Sequence, residues 1–382
     1  MLEQVGVQHI DELFGSIPDP YLLKAPLDLE PSLDEPRLMQ HLTSLASENS
    51  AAGMLSFLGA GMYRHHIPPA VDQLLQRSEF YTAYTPYQAE LSQGTLQAIF
   101  EFQTTVCELL GTDVANASMY DAASAAAEAV LMARRIKRRP HVVVSEGIHP
   151  EYLETIRTYI RGLDDSASIS VAPLASDGRT DWAATAGQMS EETSALLVGY
   201  PNFLGCVEDL QGARKVADSV GALLITATSE PYALSVLKAP GTAGADICVG
   251  EGQSLAVPPQ YGGPGVGLFG ASQKFVRQMP GRLVGQTVDA DGARGYVLTL
   301  STREQHIRRE KATSNICTNH GLIALSMGIR TAMLGRSGFE QAGGHCLNAA
   351  QYLRAGIESL SGYSVPYSAP VFNEMVVRSE AR

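Results

Sequence analysis

Six short apolar runs between residues 141 and 269 limit what this chain can fold into. They are His141–Ser145 (HVVVS), Ser168–Ala172 (SISVA), Ala195–Gly199 (ALLVG), Ala222–Thr226 (ALLIT), Asp246–Val249 and Val266–Phe269. Each has the length of a strand, and most are continuously apolar rather than alternating, as in strands buried on both faces. Helical patterns fill several intervals, among them Pro150–Leu163 and Asp209–Val220. Strands separated by helices predict an α/β fold with a largely parallel sheet covered on both sides. Ligands of such sheets bind at the carboxyl ends of strands, which directs attention to the loops after Ser145, Gly199, Thr226 and Val249. No GxGxxG follows the first run and no GxxxxGK[ST] occurs, so dinucleotide and P-loop sites lack their fingerprints.

Upstream, Leu91–Leu110 repeats its apolar residues at helical spacing, and the Ala-rich run Ala122–Arg138 reads as a helix capped by Ser118 or Asp121. A helix opening after a small-residue turn is a ready anion site, though many such starts bind nothing. Residues 1 to about 50 carry prolines at 18, 20, 26, 31 and 36, which prevent a long helix and predict an arm lying over another surface. The expected division is an arm at 1–60, a large α/β domain at 61–315, and a linking helix with a small C-terminal domain at 316–382.

With 382 residues, 45% of them hydrophobic, the chain can bury a full core. Its net charge of −12 argues against a nucleic-acid partner. The five cysteines at 107, 206, 248, 317 and 346 are scattered and form no CxxC pair, so neither a disulfide framework nor a zinc site is indicated. No apolar run approaches the ~20 residues of a membrane helix, and the N-terminus lacks a signal pattern. The expectation is a soluble cytoplasmic protein with reduced thiols.

Two stretches are candidate sites. Arg77–Gly94 places Tyr81, Tyr84 and Tyr87 within seven residues, beside Thr85, Gln88, Ser92 and Gln93. Tyrosines of this kind serve either as packing plugs with one hydrogen-bonding end or as the wall of a pocket for a small polar molecule. Thr302–Thr318 is locally cationic, with Arg303, Arg308, Arg309 and Lys311 against Glu304 and Glu310, followed by Thr313, Ser314 and Asn315. Glu304 stands four residues before Arg308, the favoured order for a helical ion pair. A salt-bridged solvated face and a surface for an anionic ligand or another subunit both fit this composition. Arg64-His65-His66 has no carboxylate at metal-ligand spacing, which favours a structural or substrate-side role over zinc.

Taken together, FLGAGMYRHHIPP (57–69), RSEFYTAYTPYQAELSQGTLQAIFEFQT (77–104), NASMYDAASAAAEA (116–129), YPNFLGCVEDL (200–210), GADICVGEGQSL (244–255), YGGPGVGLF (261–269) and the segments within 279–318 resemble the glycine decarboxylase (P-protein) of the glycine cleavage system. They look like the alpha chain, subunit 1, of its two-chain form, and they run in family order over nearly the whole sequence. The resemblance implies a fold-type I pyridoxal-phosphate (PLP) transferase-like architecture, with a large domain around a mainly parallel sheet and a smaller C-terminal α/β domain. It implies decarboxylation of glycine on PLP and transfer of the aminomethyl group to the lipoyl arm of H-protein, the electron sink being the cofactor.

This chain departs from the PLP pattern at two positions. The family's catalytic beta chain carries its Schiff-base lysine between the fifth run and the glycine-proline turn. Here that interval is Gly250-Glu251-Gly252-Gln253-Ser254-Leu255, flanked at a distance by Lys238 and Lys274. The aspartate expected after the fourth run is replaced by Thr226-Ala227-Thr228, with no carboxylate until Glu230. The resemblance therefore implies PLP on a partner beta subunit. It leaves Tyr84, Thr85, Tyr87, Gln88, Ser92, Gln93, Arg303, Arg308, Lys311, Ser314 and Asn315 as candidates for a substrate channel or subunit interface. His149, after the first run, stands where such folds often stack a ring on PLP. Family chains also continue past VFNEMVVRSEAR, which leads us to expect an incomplete small domain and an exposed apolar edge at Ala369–Val377. The readings from other classes are a non-catalytic scaffold or regulatory pseudoenzyme and a self-sufficient PLP lyase or aminotransferase, the latter opposed by the missing lysine and aspartate.

Overall fold

A computed structural model of the chain describes residues 1–163 and 167–380. The polypeptide forms two units, Met1–Phe57 and Leu58–Arg382. In the first, a single turn α1 (Leu2–Val5) and three short 3-10 turns accompany one real helix, α2 (Glu35–Ser47). Asp34 caps α2 by accepting the Arg37 N–H at 2.9 Å, and Pro36 occupies its first turn, where no backbone donor is lost.

The second unit is built on a seven-stranded sheet. Its strands are β1 (Val114–Ala115), β2 (His141–Ser145), β3 (Ser168–Ala172), β4 (Thr193–Gly199), β5 (Leu223–Thr228), β6 (Ile247–Glu251) and β7 (Gly267–Ala271), in the spatial order β1-β7-β6-β5-β4-β2-β3. All six apolar runs are strands. Five of them, β3-β2-β4-β5-β6, are parallel, while β7 runs antiparallel to β6 and β1 antiparallel to β7. Helices α3 (Pro69–Leu75), α4 (Gln93–Leu110), α5 (Ala122–Lys137), α6 (Pro150–Ile160), α7 (Trp182–Ala186) and α8 (Leu210–Ser219), the short α9 (Gln253–Ala256) and α10 (Gln305–Arg308), and the long α11 (Gly321–Glu358) complete the helical set. The long helix is broken at Gly335, whose φ of 63° and ψ of 176° leave the helical region.

Successive strand residues point to opposite faces, and the two cores record that alternation. Val142, Val144, Ala195, Leu197 and Ile225 pack with α5 and α6. Val143, Leu196, Val198 and Leu224 pack with Phe102 and Val106 of α4, Ala213 and Val216 of α8, and Met327 of α11. On α5 the buried positions are mostly alanines (122, 125, 126, 129 and 133), so the helix lies close on the sheet. Asp121, one of the two expected caps, holds its start by accepting the Ser124 N–H at 2.7 Å.

Three features depart from expectation. A hairpin, β8 (Leu283–Val288) with β9 (Arg294–Thr299), follows the sheet. The Glu304–Arg308 helical pair does not form, because Glu304 is the extended N-cap of the single-turn α10 (φ −86°, ψ 157°) and not a residue of the helix. Glu304 instead faces inward to Arg282, and Arg308 donates to the Thr302 carbonyl at 3.2 Å. Ala369–Val377 is not an exposed apolar edge either. Ala369, Val371 and Phe372 are buried, and Val371 bridges to Cys206, so the segment packs against the loop after β4. A two-residue pairing of β10 (Tyr363–Ser364) with β11 (Arg378–Ser379) follows α11. Among the described residues no helix is long and apolar enough to cross a membrane.

Candidate functional site

From β2 the chain moves outward to β3 and returns past β2 to β4, so the topology reverses between β2 and β4. The loops leaving those strands open a crevice at their carboxyl ends, the expected ligand position of such a sheet. His149, Asn202, Phe203, Ser229 and Glu230 line it, and Gly61, Tyr63 and Phe372–Glu374 close over it.

Its polar groups are largely consumed among themselves. The buried Glu230 places Oε2 at 2.9 Å from His65 Nε2 and accepts from Asn373 Nδ2 at 3.1 Å, while Oε1 accepts the Tyr232 N–H at 3.1 Å. The His65 ring stacks on Tyr232 at 4.0 Å. His65 is thus a structural histidine paired with a carboxylate. Tyr63 donates to Glu374 Oε2 at 2.7 Å, and burial together with that carboxylate pushes its phenol far above the ordinary range. Glu374 Oε1 accepts the Ala60 N–H at 2.7 Å. His149 stacks on Tyr152 at 4.8 Å, meets Phe203 edge-on at 4.9 Å and contacts the Ala60 carbonyl through Nε2 at 3.0 Å.

Beside the crevice, the anion-binding potential of the α5 N-terminus is spent internally. The Glu251 carboxylate, at the end of β6, accepts the Ala122 N–H at 3.0 Å through Oε2, and the Gln253 and Val266 N–H groups at 2.9 Å through Oε1. Burial raises its pKa, and the three N–H groups partly offset that. With Asp121 on the Ser124 N–H, two carboxylates stand where a helix start would otherwise present donors to an anion. Of the two lysines flanking the β6–β7 interval, Lys274 lies 3.4 Å from Asp246, which precedes β6 at the opposite end of the sheet. A further buried network lies under the loops: Glu208 accepts from the Thr180 N–H and hydroxyl and from Asn202 Nδ2, and Thr180 Oγ1 lies 2.7 Å from Ser145 Oγ.

The candidate residues of the two sequence stretches divide into two groups. Tyr87 accepts from Arg282 Nη2 at 2.6 Å, meets the His306 ring edge-on at 5.3 Å and Tyr84 at 5.9 Å. Arg282 Nε lies 3.1 Å from Glu304 Oε2 as a buried ion pair. Tyr84, Tyr87 and Ile307 stay exposed above that pair. Thr85 is buried and reaches the Thr318 hydroxyl at 3.5 Å. Gln88 is exposed, and Ser92 precedes α4 without a side-chain capping bond. Gln93 clamps β9 by exchanging bonds with the Tyr296 carbonyl and N–H at 2.8 and 2.9 Å. Arg303 is turned inward onto the carbonyls of Met279, Gly281 and Leu300.

Ser314 and Asn315 belong elsewhere. They line an open cleft of about 590 Å³ with Glu128, Arg134, Arg135, Arg138, Arg139 and Glu310. Lys311 is exposed nearby in sequence. The sequence singled out Tyr87, which the structure sets against Arg282, Tyr84 and His306, but did not disclose the contacts of Arg282, Glu251 or Glu230. Their partners come from distant elements or from backbone N–H groups, which leave no local spacing signal. Among the described residues no group of His, Cys, Asp and Glu could hold a metal ion, and the five cysteines are free.

Comparison with known proteins places this geometry. The model of the family described as "Glycine cleavage system P-protein" matches residues 1–381. A Sorangium cellulosum protein named "Probable glycine dehydrogenase (decarboxylating) subunit 1" is 57% identical over 381 residues, covering 99% of this chain and 84% of the relative. A protein of the same name from Desulforamulus reducens is 49% identical over 382 residues, covering 100% and 84%. A solved glycine decarboxylase (P-protein) of the glycine cleavage system, in inhibitor-bound form, superposes with a TM-score of 0.92 at 44% identity, covering 100% of this chain and 85% of that one. The Lactobacillus brevis glutamate decarboxylase shares the fold alone, at TM-score 0.67 and 14% identity. The chain belongs to the glycine cleavage system P-protein family.

Proposed function

We propose that this chain is the alpha subunit of a two-chain glycine decarboxylase, and that it works with a beta subunit that carries the PLP. The residues at the sheet's carboxyl end do not fit that cofactor. The observation that carries the reading is Glu251, whose carboxylate occupies the α5 N-terminus that a cofactor phosphate would need. Three further features agree with it. The β6–β7 interval Gly250–Leu255 holds no lysine, Glu230 is committed to His65 and Asn373, and the His149 ring packs against Tyr152 and Phe203.

The contribution of this chain is then to the assembled site. Tyr84, Tyr87 and Gln88 present hydroxyl, ring and amide groups outward. Thr85, Ser92, Gln93 and Arg303 position the loops that carry them. Arg308, Lys311, Ser314 and Asn315 add donors and positive charge toward a partner surface, the acidic H-protein or the glycine carboxylate. The two groups serve as separate parts of the subunit interface or of the channel that admits glycine and the lipoyl arm.

The test is glycine–CO2 exchange by the two purified subunits, separately and mixed, with H-protein. Activity in the mixture alone is expected. Tyr87→Ala and Asn315→Ala are expected to lower it at least tenfold in assembled complexes. Full exchange activity in those variants, with assembly intact, would sink the interface assignment, and activity in this chain alone would sink the two-chain reading.

A further inference from the structure

On α5 the side turned away from the sheet carries a cationic stripe. Ala122, Ala125, Ala126, Ala129 and Ala133 lie buried on the strands, whereas Glu128, Leu131 and Arg135 recur at spacings of three and four along the other side. Arg134 accompanies them, Arg138 is the C-cap at φ 55°, and Arg139 follows. Four of the chain's 28 cations thus fall within the six residues Arg134–Arg139, in a protein of net charge −12. The negative end of the helix dipole favours cations there. Arg134 with Arg138, and Arg135 with Arg139, are nevertheless like-charged pairs four residues apart, which oppose the helix.

These arginines line the open cleft of about 590 Å³ described above, together with Ser314 and Asn315. Some of their donors are already used. Arg139 Nη1 donates to the Thr193 and Val220 carbonyls at 3.1 and 2.8 Å, and Arg135 Nη2 donates to the Gln278 carbonyl at 3.2 Å. Others are not. Arg135 Nε is buried with no hydrogen-bond partner among the described residues, and the exposed Arg138 guanidinium pairs with no carboxylate among them. Ser314 Oγ accepts the Ile316 N–H at 3.1 Å, which leaves its hydroxyl proton to donate, and Asn315 is exposed.

Glu128 is a separate sign of a ligand. It is 2% exposed and lines the cleft, and its Oε2 has no hydrogen-bond partner among the described residues. A buried polar atom without a partner is rare, and one in the wall of a cleft is satisfied by what the cleft takes up. Burial raises the Glu128 carboxyl and so favours its O–H form, which donates to an oxyanion instead of competing for the arginines. The other carboxylate among the described lining residues is the exposed Glu310.

The charges on Arg135 and Arg138 sum to two, and the donors around them are guanidinium, hydroxyl, amide and carboxyl groups from two separate segments. A planar carboxylate occupies one guanidinium fork, whereas a tetrahedral dianion accepts from several directions at once. The geometry points to a phosphate-binding site in this cleft, held by Arg135 and Arg138 of α5 and by Ser314 and Asn315, with Glu128 in its wall. The volume admits the organic part of a phosphate ester as well as free phosphate. The inference uses groups of this chain alone and does not rest on the two-chain reading.

The experiment is isothermal titration calorimetry of the full-length chain with inorganic phosphate, phenyl phosphate and malonate at one ionic strength. The unaltered chain is compared with Arg138→Gln, Arg138→Lys and Arg135→Gln. The unaltered chain is expected to bind a single phosphate. Arg138→Gln, at an exposed position, is expected to melt as the unaltered chain does without phosphate and to bind phosphate roughly tenfold or more weakly. Arg138→Lys keeps the charge but loses the fork, and its affinity should fall between the two. Phosphate should raise the melting temperature of the unaltered chain more than that of Arg138→Gln. Tighter binding of phenyl phosphate than of phosphate would identify the ligand as an organic phosphate ester, and equal binding would identify it as free phosphate; either supports the site. Equal affinity of the unaltered chain and both glutamine variants would overturn it, as would malonate bound as tightly as phosphate. Release of the phosphate on adding the beta subunit would assign these arginines to the subunit contact and overturn it too, while leaving the two-chain reading standing.

Discussion

Replacing Glu251 with alanine tests whether the α5 N-terminus is satisfied from within. The Glu251 side chain serves three backbone donors, Ala122, Gln253 and Val266, at 2.9 to 3.0 Å. A hydrogen bond to a charged group contributes roughly 1.5–3 kcal/mol, and a buried donor left unpaired costs ~1–3 kcal/mol. The vacated volume admits water, which restores part of this, so the net loss is expected near ~3 kcal/mol. Glu251→Gln keeps one acceptor oxygen and should lose about half as much. Urea unfolding followed by circular dichroism reads the loss as a midpoint lowered by roughly 1 M, taking a slope of about 3 kcal/mol per M for a chain of this size. Amide exchange at Ala122, Gln253 and Val266 should rise selectively. A Glu251→Ala protein within ~0.5 kcal/mol of the parent, with those amides still protected, would refute the assignment.

The buried Arg282–Glu304 pair gives a second prediction. Arg282→Met alone should cost on the order of 3–5 kcal/mol by leaving Glu304 buried without its cation, whereas Arg282→Met/Glu304→Leu should recover most of that in the same denaturation assay. A double variant as unstable as the single one would show that the pair is not the energetic unit. Glu128 gives a pH prediction. Burial raises its carboxyl above the ordinary value despite Ser314 and Arg135, so its contribution is fully present below about pH 4.5 and is lost as pH rises through the raised value. Glu128→Gln should therefore gain stability relative to the parent between pH 5 and pH 8, by on the order of 1 kcal/mol, in melts taken across that range. A difference that does not change with pH would contradict it.

What the sequence disclosed and what it concealed divide along physical lines. The runs of β2 and β4 were readable because a strand buried on both faces is apolar at every position. The start of α5 was readable because Asp121 stands directly before the alanine run, although the sequence left Ser118 as an equal candidate for the cap. The β8–β9 hairpin was not, since LVGQTV and RGYVLT mix polar and apolar residues, although the Asp291-Gly292 turn between them is a hairpin signal. Glu304 was assigned to Arg308 on a rule that presumes both residues are helical, and the extended backbone of Glu304 at the N-cap removes that premise. Ala369–Val377 read as an unprotected edge because its cover, the loop around Cys206, lies some 160 residues away in sequence. Within the candidate site the outward tyrosines were legible as a cluster. Glu251 was not, because a single glutamate among glycines gives no periodicity and its partners are main-chain groups.

The measurement that bears most directly on the account is the absorbance spectrum of this chain incubated with PLP and then treated with borohydride, first alone and then with its beta subunit. The account predicts no reducible aldimine on the isolated chain, and a complex in which borohydride fixes the cofactor to the beta subunit. Covalent labelling of this chain at Lys238, Lys274 or any other lysine, together with exchange activity in the isolated chain, would contradict it.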